Sequence, residues 1–493
     1  MIRRAVLLAF AAVAFAIVAT ANSGGYRYGT SDQAFYIPAI AIGMQPDLFP
    51  RDHVVFENQR RLWLGDEIAG FLGSSAPQDF AVPFAAVYAL TLVLVFAGTV
   101  SIARGLGGDW WAVTAALALL TLRHRIARTG ANSLEGYTHP RMLAFGIGLL
   151  ALAAIVRHRF LLAAALAITA GVVHPTTGLW FCVVVAAARL MTRQFAPKGL
   201  ALGMTLAVIA FLIAMRFAMA RGLSTMDGIW LSVVADRDYL FPAEWPLYAW
   251  ILNLAYPLVL LAILLHRQAR GLAQKSETAL IGGLIALVAV FLVTVPLTMA
   301  RVSLAVELQV NRVFWLLDGA VSIYGALWLT RAIGERLGAR AKTVAAVLLV
   351  AVAVGRGHYQ MRADEPKPLV TLRLPATPWT DALTWLREQP AHWNVLVDPN
   401  HAWRNGTSAR LGAFKDIPLD ASKDPAMAIY DRNLALRVGT YTRALTGLDR
   451  MTTADVLALG HRFAFDVFLD TRTREFDLPV LYRNDGFVVY DLR

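Results

Sequence analysis

Eleven apolar segments separated by polar linkers determine the fold class of this 493-residue chain, and those that begin near residues 110, 141 and 160 are short for a membrane span. A helix needs about 20 apolar residues to cross a bilayer. With 57% hydrophobic and only 16% charged residues, the chain has more apolar surface than soluble domains of this size can bury. We therefore predict a mostly α polytopic membrane helical bundle with about 11 transmembrane helices. The segments lie at about 5–21, 81–101, 110–122, 141–156, 160–173, 175–191, 199–219, 246–265, 279–299, 310–330 and 342–355.

The charges of the linkers predict the orientation of this bundle. Linkers rich in Arg and Lys and nearly free of carboxylates alternate with longer linkers of mixed charge. Examples of the basic linkers are Arg3-Arg4, Arg157-His158-Arg159 and the stretch from Arg331 to Lys342. Basic linkers of membrane proteins stay in the cytoplasm. We therefore predict a multi-pass protein of the bacterial inner membrane, with its N-terminus inside, its C-terminus outside and its active face periplasmic.

The formal net charge of +12 does not indicate nucleic-acid binding. Residues 357–493 carry 17 Lys/Arg and 17 Asp/Glu, so the whole excess lies in the apolar part, as membrane orientation requires. The single cysteine, Cys182, excludes an intramolecular disulfide. The expected partners are therefore the membrane and a substrate, and no nucleic acid.

The first apolar segment has a second interpretation. Arg3-Arg4, about fifteen apolar residues and Ala19-Thr20-Ala21 resemble a signal peptide with a small-x-small cleavage site. Under either interpretation, residues 22–80 are predicted to be exported and form the first periplasmic loop.

The chain changes character after the last apolar segment. We predict a membrane domain at 1–356 and a small exported α/β domain at 357–493. Its predicted elements are helices at 379–388, 425–447 and 453–462, strands at 394–397 and 465–469, and a hairpin of 480–483 with 487–492.

The first outer loop carries the candidate catalytic carboxylates, Asp32 and Asp52. Asp32 precedes an amphipathic run, Ala34 to Ile42, and Gln33 and Tyr36 beside it are candidates for substrate binding. Two other roles remain open. Asp32 could cap the helix that follows, and Asp52 could be a turn residue or form a local ion pair.

Basic residues gather at the predicted outer ends of the apolar segments. They are His139, Arg141, His174, Arg301 and Arg312. Cationic side chains at this depth are costly unless they meet an anion. A sugar on a polyprenyl phosphate presents its phosphate at this level, where Arg and His could hold it while a carboxylate deprotonates an incoming hydroxyl. Contacts with lipid phosphates or internal carboxylates, or satisfied boundary histidines, are the alternatives.

Several of these motifs resemble the GT-C class of glycosyltransferases, multi-spanning enzymes that use lipid-linked sugars. They are the stretch from Gly29 to Pro38, the stretch from Pro46 to Asp52, His174-Pro175-Thr-Thr-Gly178 and the segment around Arg312. The resemblance covers most of the chain as architecture. It implies an inverting enzyme that transfers sugar from a polyprenyl-phosphate donor to a lipid, glycan or protein acceptor, with Asp32 as general base. Many members have an adjacent acidic pair, where this chain has Ser31-Asp32-Gln33.

A transporter, a flippase or a non-catalytic protein that binds lipid-linked sugar is the alternative function. The predicted segments have apolar midplanes, which disfavours alternating access. The sequence has no nucleotide-binding or metal-binding motif, so no cofactor is predicted; a divalent cation is left open.

Overall fold

The computed structural model describes residues 2–56, 80–192, 224–363 and 366–493. The predicted apolar segment at 199–219 lies outside the described residues. The described chain is mostly helical, as predicted. Five of its helices are long and apolar enough to cross a membrane, which is consistent with a helical membrane protein.

In chain order the helices are α1 (Ile2–Asn22), α2 (Gln33–Met44), α3 (Ala81–Gly105), α4 (Trp110–Thr121), α5 (Pro140–Val156), α6 (Phe160–Val173), α7 (Pro175–Met191), α8 (Gly228–Val234), α9 (Leu247–Ala269), α10 (Lys275–Met299), α11 (Ser303–Glu307), α12 (Val313–Arg362), α13 (Pro378–Arg387), α14 (His401–Asn405), α15 (Ala409–Ala413), α16 (Asp424–Met427), α17 (Arg432–Ala444) and α18 (Thr453–Phe463). The strands are β1 (Tyr26–Arg27), β2 (Arg125–Ile126), β3 (Ala131–Asn132), β4 (Val370–Thr371), β5 (Val395–Val397), β6 (Val467–Thr471), β7 (Val480–Arg483) and β8 (Phe487–Asp491).

The chain divides into two compact units. The first combines residues 1–26, 86–225 and 238–370, and the second combines 27–85, 226–237 and 371–493. The sequence analysis placed the first loop with the membrane domain, whereas the structure places most of its described residues in the second unit.

Within the first unit, α5, α6 and α7 pack as consecutive neighbours, and α4 packs along α12. Helices α6 and α7 meet at a pair of glycines. A Cβ at Gly178 would lie 2.1 Å from the Cα of Gly171, so only glycine permits this approach. The tight crossing fixes the turn at His174, which lies between the two helices.

The two segments predicted at 310–330 and 342–355 lie on either side of Gly338 in α12, which spans 50 residues. Gly338 within it has φ of 88° and ψ of 169°, which are not helical values. A glycine tolerates this conformation without a steric penalty. Two helices therefore meet at a kink at Gly338.

In the second unit, a four-stranded sheet has the order β5-β6-β8-β7. Strands β5 and β6 are parallel, with Val395 opposite Val467, and the other neighbours are antiparallel. Helix α13 begins with Pro378 after a Thr377 cap and packs Leu383 and Leu386 into the core of this unit. The carboxyl ends of β5 and β6 consequently lie at one edge of the sheet.

Two predicted elements differ from the structure. Ala34 to Ile42, predicted to be amphipathic, is buried on every side within α2, because its composition is apolar all round. The helix predicted at 425–447 is interrupted at Asp431, whose backbone is extended. Its side chain accepts hydrogen bonds from the backbone N–H groups of Asn433 and Leu434 and so starts a new helix, α17.

Candidate functional site

Two histidines lie at the amino-terminal ends of α5 and α7 in the first unit. His139 precedes α5, and its Nδ1 accepts a hydrogen bond from the backbone N–H of Arg141 at 3.1 Å. His174 precedes α7, with its Nδ1 3.3 Å from the backbone nitrogen of Thr177. Each is followed by a proline at the first helical position, which favours a helix start. The centroids of the two imidazole rings are 6.3 Å apart.

Two arginines belong to the same group. Arg141 is buried in the first turn of α5, and its guanidinium carbon lies 5.6 Å from the ring centroid of Trp315. Arg312 is half-buried and ends a short 3-10 turn that leads into α12. Burial, together with the charges of His139, Arg141 and Arg312, lowers the pKa of His174 well below its ordinary value. The ring centroids of His139 and His174 lie 6.3 Å apart, and Arg141 contacts Trp315, which is three residues after Arg312. His139, Arg141, His174 and Arg312 therefore form one basic cluster.

A buried carboxylate accompanies this basic cluster. Glu135 is 4% exposed, and its Oε1 accepts a hydrogen bond from Nη2 of Arg141 at 2.8 Å. Its Oε2 accepts one from the side-chain amide of Asn132 at 3.0 Å. The sequence analysis did not select Glu135. A carboxylate six residues before an arginine expected at the membrane boundary was the signal that could have identified it.

A second buried carboxylate in the first unit is Asp318, in the predicted apolar segment at 310–330. Its Oδ1 lies 3.0 Å from Nε2 of His124, and this hydrogen bond raises the pKa of His124. Asp318 lies near the start of this segment, and its partner His124 lies in the linker after the predicted segment at 110–122. The sequence analysis missed Asp318, although one carboxylate within an apolar segment is a functional signal in itself.

Arg301 has different surroundings. Its Nη2 donates a hydrogen bond to Oε1 of Glu244 at 2.7 Å, and its guanidinium carbon lies 4.1 Å from the ring centroid of Phe241. The ion pair is partly exposed to solvent. These contacts favour a local structural role for Arg301 over substrate binding.

Asp32 lies in the second unit, immediately before α2. It makes no side-chain capping hydrogen bond, so the capping alternative is not realised. Its Oδ1 instead lies 3.0 Å from Nζ of Lys423, and its side chain remains 33% exposed. A solvent-accessible carboxylate positioned by an ammonium group can accept a proton from a substrate hydroxyl.

Gln33 and Tyr36 are both buried in the first turn of α2. Oε1 of Gln33 accepts a hydrogen bond from the backbone N–H of Gly29 at 2.7 Å. This bond closes the turn from Gly29 to Gln33, which contains Asp32. Gln33 therefore positions the loop, and its burial leaves little surface for direct contact with substrate.

Asp52 is completely buried in the second unit. Its Oδ2 accepts hydrogen bonds from Nε of Arg410 at 2.7 Å and from the backbone N–H of Ile417 at 2.9 Å, and Oδ1 pairs with Arg437. A carboxylate enclosed in this way has no open face for a substrate. The structure therefore favours an ion-pair role for Asp52 over the catalytic one, although its partners are distant in the chain and not local as expected.

The two sets of candidates can perform different chemical tasks. The basic cluster combines two guanidinium groups, which suit bidentate phosphate recognition, with two imidazoles. Asp32 offers a carboxylate for proton transfer. Among residues 2–56, 80–192, 224–363 and 366–493, no group of three or more His, Cys, Asp or Glu side chains is arranged for a metal ion.

No protein-family model matches this chain, and a search of curated proteins also finds no match.

Proposed function

We propose that this protein is a GT-C-type membrane glycosyltransferase that moves a sugar from a polyprenyl-phosphate donor to an acceptor in the periplasm. The observation that carries the proposal is the basic cluster at the start of α5 and α7. Guanidinium groups gathered at the ends of apolar helices are suited to a phosphate that is anchored in the membrane by its lipid chain.

The proposed membrane arrangement has eleven transmembrane helices in the bacterial inner membrane. The described part of the chain contains helices at ten of the eleven predicted segments, and the remaining segment is 199–219. Basic linkers such as Arg157-His158-Arg159 face the cytoplasm in this arrangement. The turns at His139 and His174 then face the periplasm, together with the α/β domain at 357–493.

In the proposed reaction, an acceptor hydroxyl attacks the anomeric carbon of the donor sugar. The new carbon–oxygen bond forms as the bond to the phosphate oxygen breaks, with inversion at the anomeric carbon. The hydroxyl proton passes to the carboxylate of Asp32, and polyprenyl phosphate leaves with the bonding electrons. Arg141 and Arg312 stabilise the negative charge that develops on this leaving group.

His139 and His174 have a supporting role in the proposal. The lowered pKa of His174 keeps its imidazole neutral near pH 7, so it can donate one hydrogen bond without adding charge. The net positive charge at the phosphate is then supplied by the arginines, and Glu135 offsets part of it. Because Glu135 reduces the net positive charge of the basic cluster, the product polyprenyl phosphate is held less tightly and can leave.

The test uses the purified full chain in nanodiscs of phosphatidylcholine and phosphatidylglycerol. Radiolabelled farnesyl-phosphate-linked glucose, mannose and galactose serve as donors, and methyl glycosides of the same sugars as acceptors. The proposal expects a labelled disaccharide with at least one donor. Donor binding without product would support the binding-only alternative, and absence of both binding and product would refute the proposal.

A further inference from the structure

A cleft of about 380 Å³ opens in the second unit at the carboxyl ends of β5 and β6. The chain leaves β5 at Asp398 and reaches the end of β6 at Asp470 and Thr471, and all three residues line the cleft. The carboxyl ends of parallel strands are the usual ligand-binding edge of open α/β sheets. The volume falls within the range of small-molecule sites, roughly 300–1,000 Å³. No residue of this cleft is among the predicted site residues.

Two internal ion pairs line the cleft. Nη1 of Arg404 lies 2.6 Å from Oδ2 of Asp398, and Nη1 of Arg474 lies 2.9 Å from Oδ2 of Asp470. Burial raises the pKa of Asp470, and the nearby charge of Asp398 adds to this effect. A charged ligand would have to compete with these internal pairs. A neutral ligand can instead bind to both partners at once.

His401 adds a buried polar atom to the lining. Its side chain is 1% exposed, and its Nδ1 lies 2.7 Å from the backbone oxygen of Asp398. Nε2 makes no hydrogen bond within the described part of the chain, and the nearest carboxylate oxygen, on Asp420, is 3.8 Å away. A buried polar atom without a hydrogen bond carries an energetic cost that a ligand hydroxyl could remove.

The rest of the lining is partly apolar. Leu445 and Leu448 are buried, and the half-buried ring of Phe487 lies nearby. Asn400 and Asn405, each with a side-chain amide, are also among the lining residues. The lining therefore combines apolar surface with planar groups that donate and accept hydrogen bonds.

We propose that this cleft binds a neutral saccharide. A sugar hydroxyl can donate to a carboxylate and accept from the paired guanidinium, so it can use both ion pairs without breaking them. The C–H faces of the sugar ring can pack against the apolar side chains of Leu445, Leu448 and Phe487. The site lies wholly within the second unit and does not depend on glycosyl transfer by this protein.

Saturation-transfer difference NMR on the full chain in sugar-free lipid nanodiscs tests this inference. The probes are D-glucose, D-galactose, D-mannose and N-acetyl-D-glucosamine, each alone, and inorganic phosphate as an anionic competitor. We expect saturation transfer to at least one sugar, unaffected by phosphate. Absence of transfer to all four sugars, or displacement of the sugar by phosphate, would overturn the inference.

Two variants locate the binding. Asp470→Asn should weaken sugar binding at least about tenfold, because it removes the acceptor charge and the ion pair with Arg474. Thr446→Trp places a bulky side chain at an exposed position of the rim and should block the cleft even if Asp470→Asn fails to fold. Asp485→Asn, on the exposed hairpin turn, is the matched control and should bind as the wild type does. Binding that survives Thr446→Trp would refute the assignment.

Discussion

Lys423 Nζ lies 3.0 Å from Asp32 Oδ1, although 391 residues separate them in the chain. The ammonium group also lies 5.7 Å from the ring centroid of Phe35, in the first turn of α2. These contacts hold the carboxylate beside the start of the helix without a capping hydrogen bond. The pair therefore defines how the proposed base is positioned.

Lys423→Met should lower the transfer rate at least about tenfold, since a carboxylate released from its partner can rotate and misalign with the acceptor hydroxyl. Lys423→Arg preserves the charge and should retain most of the activity. Steady-state rates with saturating donor measure the effect. Equal rates for Lys423→Met and the wild type would remove the positioning role.

Arg312→Gln should raise the KM for the lipid-linked donor by about 10- to 100-fold, the effect of losing one charge-assisted hydrogen bond to phosphate. Arg301→Gln is the matched control, because Arg301 pairs with Glu244 on the exposed surface, and it should leave the KM nearly unchanged. Donor titrations of both variants provide the comparison. Similar KM values for the two variants would contradict phosphate binding by the basic cluster.

Asp52→Asn should destabilise the second unit without a specific effect on chemistry. Breaking a buried ion pair by removing one partner costs about 3–5 kcal/mol, because the charges left behind are uncompensated. The cost here should lie at the lower end of this range, because Arg410, which is 2% exposed, keeps its ion pair with Asp424. Asp47→Asn, exposed in the same loop, should unfold at the wild-type temperature. Thermal unfolding in nanodiscs distinguishes the variants, and an unchanged midpoint for Asp52→Asn would refute the structural role.

Asp416 gives the second unit a pH-dependent stability. Its Oδ1 accepts a hydrogen bond from the backbone N–H of Asp52 at 2.9 Å, and burial together with the charge of Asp52 raises the pKa of Asp416 to about 7. The unfolded chain releases this proton at about pH 4. Between these values the folded state binds more protons, so stability falls as pH rises, by up to about 1.4 kcal/mol per pH unit.

Asp416→Asn should remove the contribution of Asp416 to the pH dependence of stability. The asparagine still has a side-chain oxygen that can accept the hydrogen bond from the backbone N–H of Asp52. Unfolding midpoints measured from about pH 5 to pH 7 test it, with the variant compared directly with the wild type. We expect the unfolding midpoint to fall less steeply with rising pH in the variant than in the wild type. Identical slopes would show that Asp416 does not retain its proton in the folded state.

Local signals in the sequence were sufficient to predict the helices near the basic cluster. The apolar run at 160–173 ends where His174 and Pro175 interrupt it, and the structure ends α6 at Val173 and starts α7 at Pro175. Proline at the first helical position and the change in polarity are features of the adjacent residues themselves. The expectation that His139, Arg141, His174 and Arg312 occupy one region followed from the predicted crossings.

Contacts between distant residues could not be predicted in the same way. Asp52 is 358 residues from Arg410, and neither residue has a local feature that identifies the other. The pairing of Asp32 with Lys423 also depends on tertiary structure. Burial distinguishes the two carboxylates, since it encloses Asp52 completely and leaves Asp32 partly exposed.

The most direct test of the proposed function is sugar transfer by Asp32→Asn, which preserves the shape of the side chain but cannot accept the hydroxyl proton. Transfer and donor binding are measured on the same nanodisc preparation, with Asp47→Asn as the control from the same loop. We predict a loss of transfer of at least about 100-fold, with unchanged donor binding and unfolding temperature. Transfer by Asp32→Asn at the wild-type rate would contradict the assignment of Asp32 as the general base.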